Sequence, residues 1–501
     1  MYVWRRIHYR KDELPYTMFT VDAEWPGPYI DGEWRTDGRK TVTVENPATR
    51  EQVTEVTFAT AGDVDDAYEA IERAQSSWAD SPTQRVQVFE NAMDLLAEHR
   101  DNIVELLAVE SGSAASKGHQ EVTKSIDLLD TATQLPFRTT NTVAASRVPG
   151  KRNEVHRDPV GSVGVITPWN VPLKLAVQSI APALALGNGV VLKPAPDTPI
   201  SGGLVLARLF EEAGVPDGIF NVVPGYGEDI GARVVEHPSP KAVSFTGSTT
   251  VGQQVGHAAV DGFKSAMLEL GGNNPHIVTE DADLDRAIDG GLFATFSHQG
   301  QACISINRHL VHESVYDEYV DRFAARAADL PIGDPRDVDT VIGPIINETQ
   351  RDKIVGYIQE TVEQGATVEL GGEYDDLFVE PTVISGVTND MAAACNEHFG
   401  PIAPVIPFST DEEAVKIAND TEYGLTASVH AGTEDRARRI VAKLETGMAH
   451  INDQTVNSEP DMPFGGVGAS GIGRHNGEWI IEKFTTTRWV SVQEESRDYP
   501  L

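Results

Sequence analysis

Residues 160–193 read VGSVGVITPWNVPLKLAVQSIAPALALGNGVVLK, and their pattern carries the clearest signal of the fold class. An apolar run over 160–167 predicts a buried strand, the spacing over 172–186 predicts a helix, and the apolar run at 190–192 predicts a second strand. The alternation continues to about residue 260, with further helices over 201–213, 230–236 and from Ser248, and strands over 220–223 and 242–245. Short apolar strands that alternate with helices indicate an α/β fold with a doubly wound parallel sheet.

The segments on either side extend this pattern. Before it, apolar spacing predicts three helices, the first of them capped by Asp63. After it, a second set begins near Pro275, with a strand over 276–279, a helix over 284–297 and a strand over 309–311. A chain of 501 residues is too long for one hydrophobic core, so we expect two α/β domains.

The composition restricts the compartment and the partners. Asp and Glu number 76 against 40 Lys and Arg, so the formal net charge is −36, which disfavours binding to nucleic acid or anionic membranes. The acidic residues are spread along the chain, which favours salt adaptation over an ordinary acidic enzyme. The two cysteines, Cys303 and Cys395, exclude a disulfide framework and favour the cytoplasm. Cys395 is expected to pack as a small apolar side chain.

Two segments point to chemistry. Cys303 ends the segment FSHQGQAC (296–303), and Glu269 lies in LELGGNNP (268–275). Together they pair a soft nucleophile with a carboxylate that can serve as a general base. On these segments the chain resembles the aldehyde dehydrogenase superfamily from about residue 27 onward.

The resemblance implies a domain plan. It places an NAD(P)-binding domain at 18–130 and 156–270, a catalytic domain at 271–465, and a β oligomerisation arm at 131–155 and 483–501. A homodimer or homotetramer is then expected, although from the residues alone an edge hairpin explains the arm segments equally well. Residues 1–17 match nothing in the family and are expected to be a disordered extension.

The cofactor segment differs from the usual dinucleotide fingerprint. No convincing Gly-x-Gly-x-x-Gly follows a strand, and Gly225-Tyr226-Gly227 is interpreted as a surface turn. FTGSTTVG (245–252) instead stands at a strand-to-helix junction, where a helix N-terminus favours phosphate. The resemblance implies NAD or NADP as cofactor and no metal. The residues that it assigns to the cofactor are Lys193 at the adenosine ribose, Ser248 at the pyrophosphate, Glu397 at the nicotinamide ribose, Phe399 at the nicotinamide, and also Gly247, Trp169, Leu270 and Gly225.

The catalytic residues follow from the chemistry of aldehyde oxidation. Hydride can leave only from a tetrahedral adduct, which a thiolate forms by adding to the carbonyl, so Cys303 is the predicted nucleophile. The resemblance assigns the oxyanion to Asn170 and the backbone N–H of Cys303. It assigns to Glu269 the activation of the water that hydrolyses the thioester.

Cofactor preference and substrate rest on fewer residues. Pro196 stands where many NAD-preferring relatives have a Glu that binds the ribose 2′-hydroxyl, so NADP should be admitted. Gly468 stands where the family often has Lys, for a reason that the sequence does not supply. The segment GMAHINDQTVN (447–457) resembles the branch that oxidises vanillin and benzaldehyde. A semialdehyde dehydrogenase is the alternative. Its substrate carboxylate would need a basic partner such as Arg308, for which a purely structural role is the other interpretation.

Two other functional classes fit the sequence less well. A non-catalytic structural relative should have lost Cys303 or Glu269, and both are present. A cysteine hydrolase needs a histidine paired with Cys303, for which His298 is the nearest candidate in sequence, but it leaves the cofactor segments unexplained.

Overall fold

The structure is a computed structural model that describes residues 18–36, 39–139 and 141–499. The extension predicted over residues 1–17 lies outside the described residues. The strands are β1 (Tyr29–Ile30), β2 (Glu33–Trp34), β3 (Thr41–Glu45), β4 (Gln52–Thr57), β5 (Thr142–Ala145), β6 (Lys151–Pro159), β7 (Ser162–Ile166), β8 (Gly189–Lys193), β9 (Phe220–Val222), β10 (Ala242–Thr246), β11 (Ser265–Glu269), β12 (Asn274–Val278), β13 (Ile306–His312), β14 (Thr367–Leu370), β15 (Tyr374–Asp375), β16 (Phe378–Val379), β17 (Thr382–Ser385), β18 (Ile402–Phe408), β19 (Tyr423–Gly424), β20 (Thr426–His430), β21 (Met448–Ile451), β22 (Val467–Gly468), β23 (Gly471–Ile472) and β24 (Thr485–Gln493).

The helices cover both faces of the sheets. They are α1 (Ala61–Ala79), α2 (Pro82–Glu98), α3 (Arg100–Ser111), α4 (Ala115–Arg138), α5 (Pro172–Ala185), α6 (Val205–Ala213), α7 (Ala232–Glu236), α8 (Thr249–Asp261), α9 (Leu284–Phe296), α10 (Tyr316–Ala327), α11 (Glu348–Glu363), α12 (Ala392–Cys395), α13 (Asp411–Asn419), α14 (Glu434–Val441) and α15 (Ile481–Phe484). Within the described ranges, none of them is long and apolar enough to cross a bilayer.

The first sheet confirms the predicted doubly wound architecture. Its eight strands run in the order β2-β1-β9-β8-β7-β10-β11-β23. The central strands from β9 to β11 are parallel, the antiparallel hairpin of β1 and β2 closes one edge with β2 outermost, and antiparallel β23 closes the other. Every residue of β7, β8 and β10 is buried, as expected for parallel strands covered by helices on both faces.

A second sheet belongs to the second α/β unit. Its seven strands run in the order β14-β17-β18-β13-β12-β20-β21, and all neighbours are parallel except the edge pair β14 and β17. The predicted strands at 276–279 and 309–311 correspond to β12 and β13. The prediction of a second α/β domain is therefore confirmed.

A separate three-stranded sheet forms the predicted arm, but with different bounds. Strand β24 pairs antiparallel with β6 along nine residues, from Thr485 opposite Pro159 to Gln493 opposite Lys151. The boundary predicted at residue 131 is wrong, because α4 continues to Arg138 and buries Leu135 against the first domain. The boundary at residue 155 is also wrong, since β6 continues to Pro159.

Two smaller expectations need correction. The first helix is capped by Thr60, and Asp63 occupies the third helical position, where its carboxylate accepts from the Thr60 backbone to complete a capping box. Cys395 is exposed rather than packed in the core, because it ends the short helix α12 at the surface.

Candidate active site

The predicted site residues converge on one edge of the first sheet. Lys193 ends β8, Glu269 ends β11, and Asn170 lies in the turn between β7 and α5. These are the carboxyl ends of parallel strands, where open α/β sheets bind their ligands. The second domain contributes Cys303, from the loop between α9 and β13, and Glu397, from the loop between α12 and β18.

One cavity of about 150 Å³ brings most of these residues together. Its lining includes nine of the eleven predicted site residues: Trp169, Asn170, Gly247, Ser248, Glu269, Leu270, Cys303, Glu397 and Phe399. A second cavity of about 490 Å³ is lined by Lys193, Phe245 and the outer face of α8. The first cavity is lined by Gly247 and Ser248 just before α8 and the second by residues of α8 from Val251 onward, so both adjoin the same helix.

The loop before Cys303 has an unusual backbone. His298 and Gln299 adopt the left-handed region, with φ of 52° and 57°, and Gly300 follows at 70°. A side chain at Gly300 would overlap the carbonyl of Gly400, which explains the glycine. The Gln299 amide fixes the loop by donating to the carbonyls of Gly112 and Pro344. Such strained backbone is typical of functional sites.

The electrostatics of Cys303 and Glu269 are linked. Burial raises the pKa of the Cys303 thiol to about 12, and the carboxylates of Glu397 and Glu269 contribute to the rise. Burial also raises the pKa of Glu269 well above its usual range, partly offset by Arg474 and Lys174. Within the described chain, neither carboxylate oxygen of Glu269 has a hydrogen-bond partner. Because its pKa is raised, the Glu269 carboxylate is a stronger base than that of an ordinary Glu, which suits the predicted role of general base.

Asn170 connects the β7–α5 turn to the nucleophile loop. Its side-chain nitrogen donates to the Gln301 carbonyl at 2.8 Å, two residues before Cys303. A primary amide has two N–H donors, so one remains for a ligand in the cavity that Asn170 lines. This geometry suits the predicted oxyanion role.

Lys174 is a charged neighbour of the site that the sequence reasoning missed. It lies on α5, is only 8% exposed, and donates to Gln178 at 2.8 Å. Burial lowers its pKa to about 8, and the charges of Cys303, Glu121 and Glu269 oppose that fall. The only available signal was its position four residues after Asn170 in a run of otherwise apolar helix.

Lys193 lines the second cavity and has one N–H donor left for a ligand. Its ammonium group donates to the carbonyls of Pro194 and Gly225 at 2.8 Å each, which leaves a third donor. Gly225 lines neither of the two cavities in the described part of the chain and instead orients Lys193. Gly227 and Gly231, from the segment interpreted as a surface turn, do line the second cavity. Residues 227–229 are exposed, so the surface turn is confirmed there, and residues 227–231 form a π-helical turn beside Lys193.

The N-terminus of α8 is where the sequence predicts the pyrophosphate. Ser248 is its N-cap, and within the described residues its side chain makes no capping hydrogen bond, so the first-turn N–H groups stay available. A side chain at Gly247 would approach the Phe245 ring to 2.7 Å, and one at Gly252 would overlap Leu270. Only glycine therefore fits at these two positions. The available N–H groups of the first helical turn are the donors that a pyrophosphate would need, so the residues present fit that group.

Glu397 and Phe399 face the same cavity from the second domain. Glu397 accepts from the Gly272 N–H at 3.0 Å, and burial raises its pKa to about 7, with the Gly272 N–H opposing the rise. A side chain at Gly271 would overlap the Glu397 carboxylate, which explains that glycine. The Phe399 ring meets Trp169 edge-on with centroids 5.5 Å apart, so the two domains are in contact across the cavity.

The structure accounts for three further residues that the sequence left open, Arg308, Gly468 and His298. Arg308 is fully buried and donates to Asn389 and to the carbonyls of Asn273, Ile417 and Ala418, so its proposed contact with a substrate carboxylate is wrong. Gly468 has a φ of 58°, and a side chain there would lie 2.7 Å from the Glu422 carbonyl, which accounts for the glycine. Among the described residues no group hydrogen-bonds to either ring nitrogen of buried His298, so the Cys303–His298 pair of a cysteine hydrolase is absent there.

Comparison with known proteins agrees with this site. Residues 34–490 match the aldehyde dehydrogenase family. A benzaldehyde dehydrogenase of Bacillus subtilis is 43% identical over 475 residues, which cover 94% of this chain and 98% of the relative. A vanillin dehydrogenase of Corynebacterium glutamicum is 44% identical over 468 residues, which cover 93% and 97%. The solved structure of an NADP-dependent enzyme of E. coli superimposes with a TM-score of 0.91 at 34% identity, covering 93% of this chain and 98% of that one.

The chain therefore belongs to the aldehyde dehydrogenase family. The predicted enzyme class, an NAD(P)-dependent oxidoreductase that acts on aldehydes, is confirmed with it. The predicted likeness to the branch of vanillin and benzaldehyde dehydrogenases is also confirmed.

Proposed function

We propose that this protein oxidises an aromatic aldehyde to its carboxylic acid through a covalent intermediate on Cys303. The observation that carries the proposal is the shared cavity in which Cys303, Glu269 and Asn170 face the predicted cofactor residues. The benzaldehyde and vanillin dehydrogenases among its relatives support the aromatic class of substrate.

The first half of the reaction begins at the thiol. Because burial and two carboxylates hold the pKa of Cys303 high, its proton must pass to solvent as the sulfur adds to the carbonyl carbon, which leaves the carbonyl oxygen as an oxyanion. The Cys303 backbone N–H opposes the rise in the thiol pKa, and Lys174 adds a positive charge nearby. The free N–H of Asn170 and the Cys303 N–H would stabilise the oxyanion of the adduct. A bound nicotinamide would supply the hydride acceptor.

The second half is hydrolysis of the resulting thioester. Glu269 is the group in the cavity whose surroundings suit it to accept a proton from water, because its carboxylate is desolvated and unpaired within the described residues. Proton transfer to Glu269 creates the hydroxide that attacks the thioester carbonyl. The carboxylic acid then leaves and Cys303 returns to the thiol.

The proposed cofactor contacts are residues that line the first and second cavities. Lys193 would bind the adenosine ribose, the N-terminal turn of α8 at Gly247 and Ser248 the pyrophosphate, and Glu397 the nicotinamide ribose. Pro196 lines a third, polar cavity; it adds no carboxylate there, although Glu45, Asp197 and Glu348 line the same cavity. The proposal on cofactor choice rests on Pro196 standing where many NAD-preferring relatives have a Glu. We therefore propose that both NAD and NADP are accepted.

The proposed assembly is a homodimer or homotetramer built through the arm. Its strands present Val143, Val155 and Trp489 to solvent, with Trp489 67% exposed. Apolar side chains grouped on one sheet favour a protein partner, and a second copy of the chain is the simplest one. The cytoplasmic location stays a prediction from the cysteine content.

A substrate panel tests the proposal. Reduced-nicotinamide absorbance should be followed in high salt with benzaldehyde, vanillin, an aliphatic aldehyde and succinate semialdehyde, each with NAD and with NADP. We expect the largest kcat/KM with an aromatic aldehyde. A clear preference for the semialdehyde would favour the alternative function, although its carboxylate would need a partner other than Arg308. No turnover with any aldehyde would refute the proposal.

A further inference from the structure

A buried ion pair on α4 reaches the turn that carries Asn170. The Lys117 ammonium group donates to the backbone carbonyl of Asn170 at 3.0 Å, to Ser113 at 2.8 Å and to the Glu121 carboxylate at 2.5 Å. The side chain of Glu121 is 1% exposed and that of Lys117 is 16% exposed. Neither residue lines the cavity of Cys303, and the reaction described above does not use them.

Glu121 completes the contact from the other side of the same turn. Its second carboxylate oxygen accepts from the N–H of Leu173 at 2.9 Å and of Lys174 at 3.1 Å. The N-cap of α5 is Val171, whose apolar side chain cannot accept hydrogen bonds from these N–H groups. The first turn of a helix leaves its N–H groups without partners and favours negative charge, so Glu121 caps α5 from a neighbouring helix.

The pair therefore holds both ends of the Asn170–Lys174 turn. On the far side of that turn, the Asn170 side chain is bonded to the Gln301 carbonyl. A shift of the turn would move the free N–H of Asn170 away from the place where the oxyanion forms. Since a buried ion pair is seldom worth more to stability than apolar side chains of similar volume, stability alone gives little reason for this one.

We propose that Lys117 is a positioning residue for the oxyanion donor: bound to Glu121, it fixes the Asn170 carbonyl and thereby orients the Asn170 amide toward the reacting carbonyl. The inference rests on the proposed role of Asn170. It predicts that the effect of Lys117 on the rate passes through Asn170.

A double-mutant cycle tests this proposal. Lys117→Met, Asn170→Ala and the combined variant are compared with the wild-type enzyme in the first-turnover rate of cofactor reduction, in KM for benzaldehyde and in Kd for the cofactor. Because misplacing a catalytic group by about 1 Å can cost on the order of 100-fold, Lys117→Met should slow the first turnover by about 10- to 100-fold. The Kd for the cofactor should stay the same. The combined variant should be no slower than Asn170→Ala alone.

The chain offers a matched control on the same helix. Lys124 forms a half-exposed ion pair with Asp127 at 3.6 Å, so Lys124→Met also removes a lysine from an α4 ion pair. That variant should keep the wild-type rate. If Lys117→Met does not fold, because it leaves Glu121 buried without its partner, the pair is removed together as Lys117→Met/Glu121→Gln. The Gln side-chain oxygen can still accept from the α5 N–H groups, and the same slow first turnover is expected.

The outcomes separate the two claims. A wild-type rate in Lys117→Met, with a large loss in Asn170→Ala, would overturn the positioning role and leave the proposed reaction intact. Losses that multiply in the combined variant would overturn it too, because Lys117 would then act independently of Asn170. A wild-type rate in Asn170→Ala would instead refute the oxyanion role in the proposed function.

Discussion

Replacing Glu269 by Gln should separate the two halves of the proposed reaction. In this variant Cys303 can still add to the aldehyde and hydride can still leave, but the water that hydrolyses the thioester loses its base. We therefore expect a burst of about one reduced cofactor per active site, followed by slow turnover.

The size of the effect follows from the surroundings of Glu269. A positioned general base contributes about 10²- to 10⁴-fold, so steady-state kcat should fall by that factor, or about 3 to 5 kcal/mol. Within the described residues neither carboxylate oxygen of Glu269 accepts a hydrogen bond, so the substitution breaks none and Tm should not fall. The wild-type rate should fall on acidification at a higher pH than an ordinary Glu would give, because burial raises the pKa of Glu269. This acidic limb of the pH–rate profile should vanish in the variant.

The same variant reports on the thiol. The Glu269 carboxylate contributes to the raised pKa of Cys303, so its removal should lower that pKa and speed alkylation of Cys303 by neutral iodoacetamide. Rapid-quench and stopped-flow measurements give the burst, and mass spectrometry gives the alkylation rate. Loss of the burst together with slower alkylation would refute the reasoning, because Glu269 would then be the base that activates Cys303.

Three further predictions concern the cofactor, salt and the N-terminus. Pro196→Glu should shift preference from NADP toward NAD by roughly tenfold or more, since a carboxylate near a 2′-phosphate costs about 1 to 4 kcal/mol; a wild-type enzyme strictly specific for NAD would contradict this. Because the net charge is −36, activity with either cofactor should rise with salt toward molar concentrations, and full activity and stability in dilute buffer would argue against salt adaptation. A chain that begins at Met18 should keep its activity and Tm, because it retains the fully buried Phe19 and the Met18 carbonyl bound to Arg208; a large loss of either would mean that residues 1–17 pack.

The parallel strands could be predicted because buried strands appear in the sequence as short continuous apolar runs. Residues 160–167 and 190–192 are apolar runs between turn signals, and the structure places β7 and β8 there. Segment 131–138 was harder, because its Thr and Ala residues mask the continued helical spacing that ends at buried Leu135. The π-helical turn at 227–231 was missed because its glycines do not fit the spacing of a familiar motif.

The residues around the nucleophile show where sequence reasoning stops. Cys303, Glu269 and Asn170 could be found because their segments have a recognisable order along the chain. Lys117 and Glu121 could not, since a Lys and a Glu four residues apart on a helix usually form an exposed pair. Their burial depends on α5 packing over that face of α4, a tertiary contact for which the sequence gives no local signal.

The central claim is that aldehyde oxidation passes through Cys303, and Cys303→Ala tests it most directly. Reduced-nicotinamide absorbance should be measured with benzaldehyde in high salt for the wild-type enzyme and this variant, alongside cofactor binding by each. We expect turnover by the wild type, no turnover by Cys303→Ala, and nearly equal Kd values for the cofactor. Substantial turnover by the purified variant would contradict it.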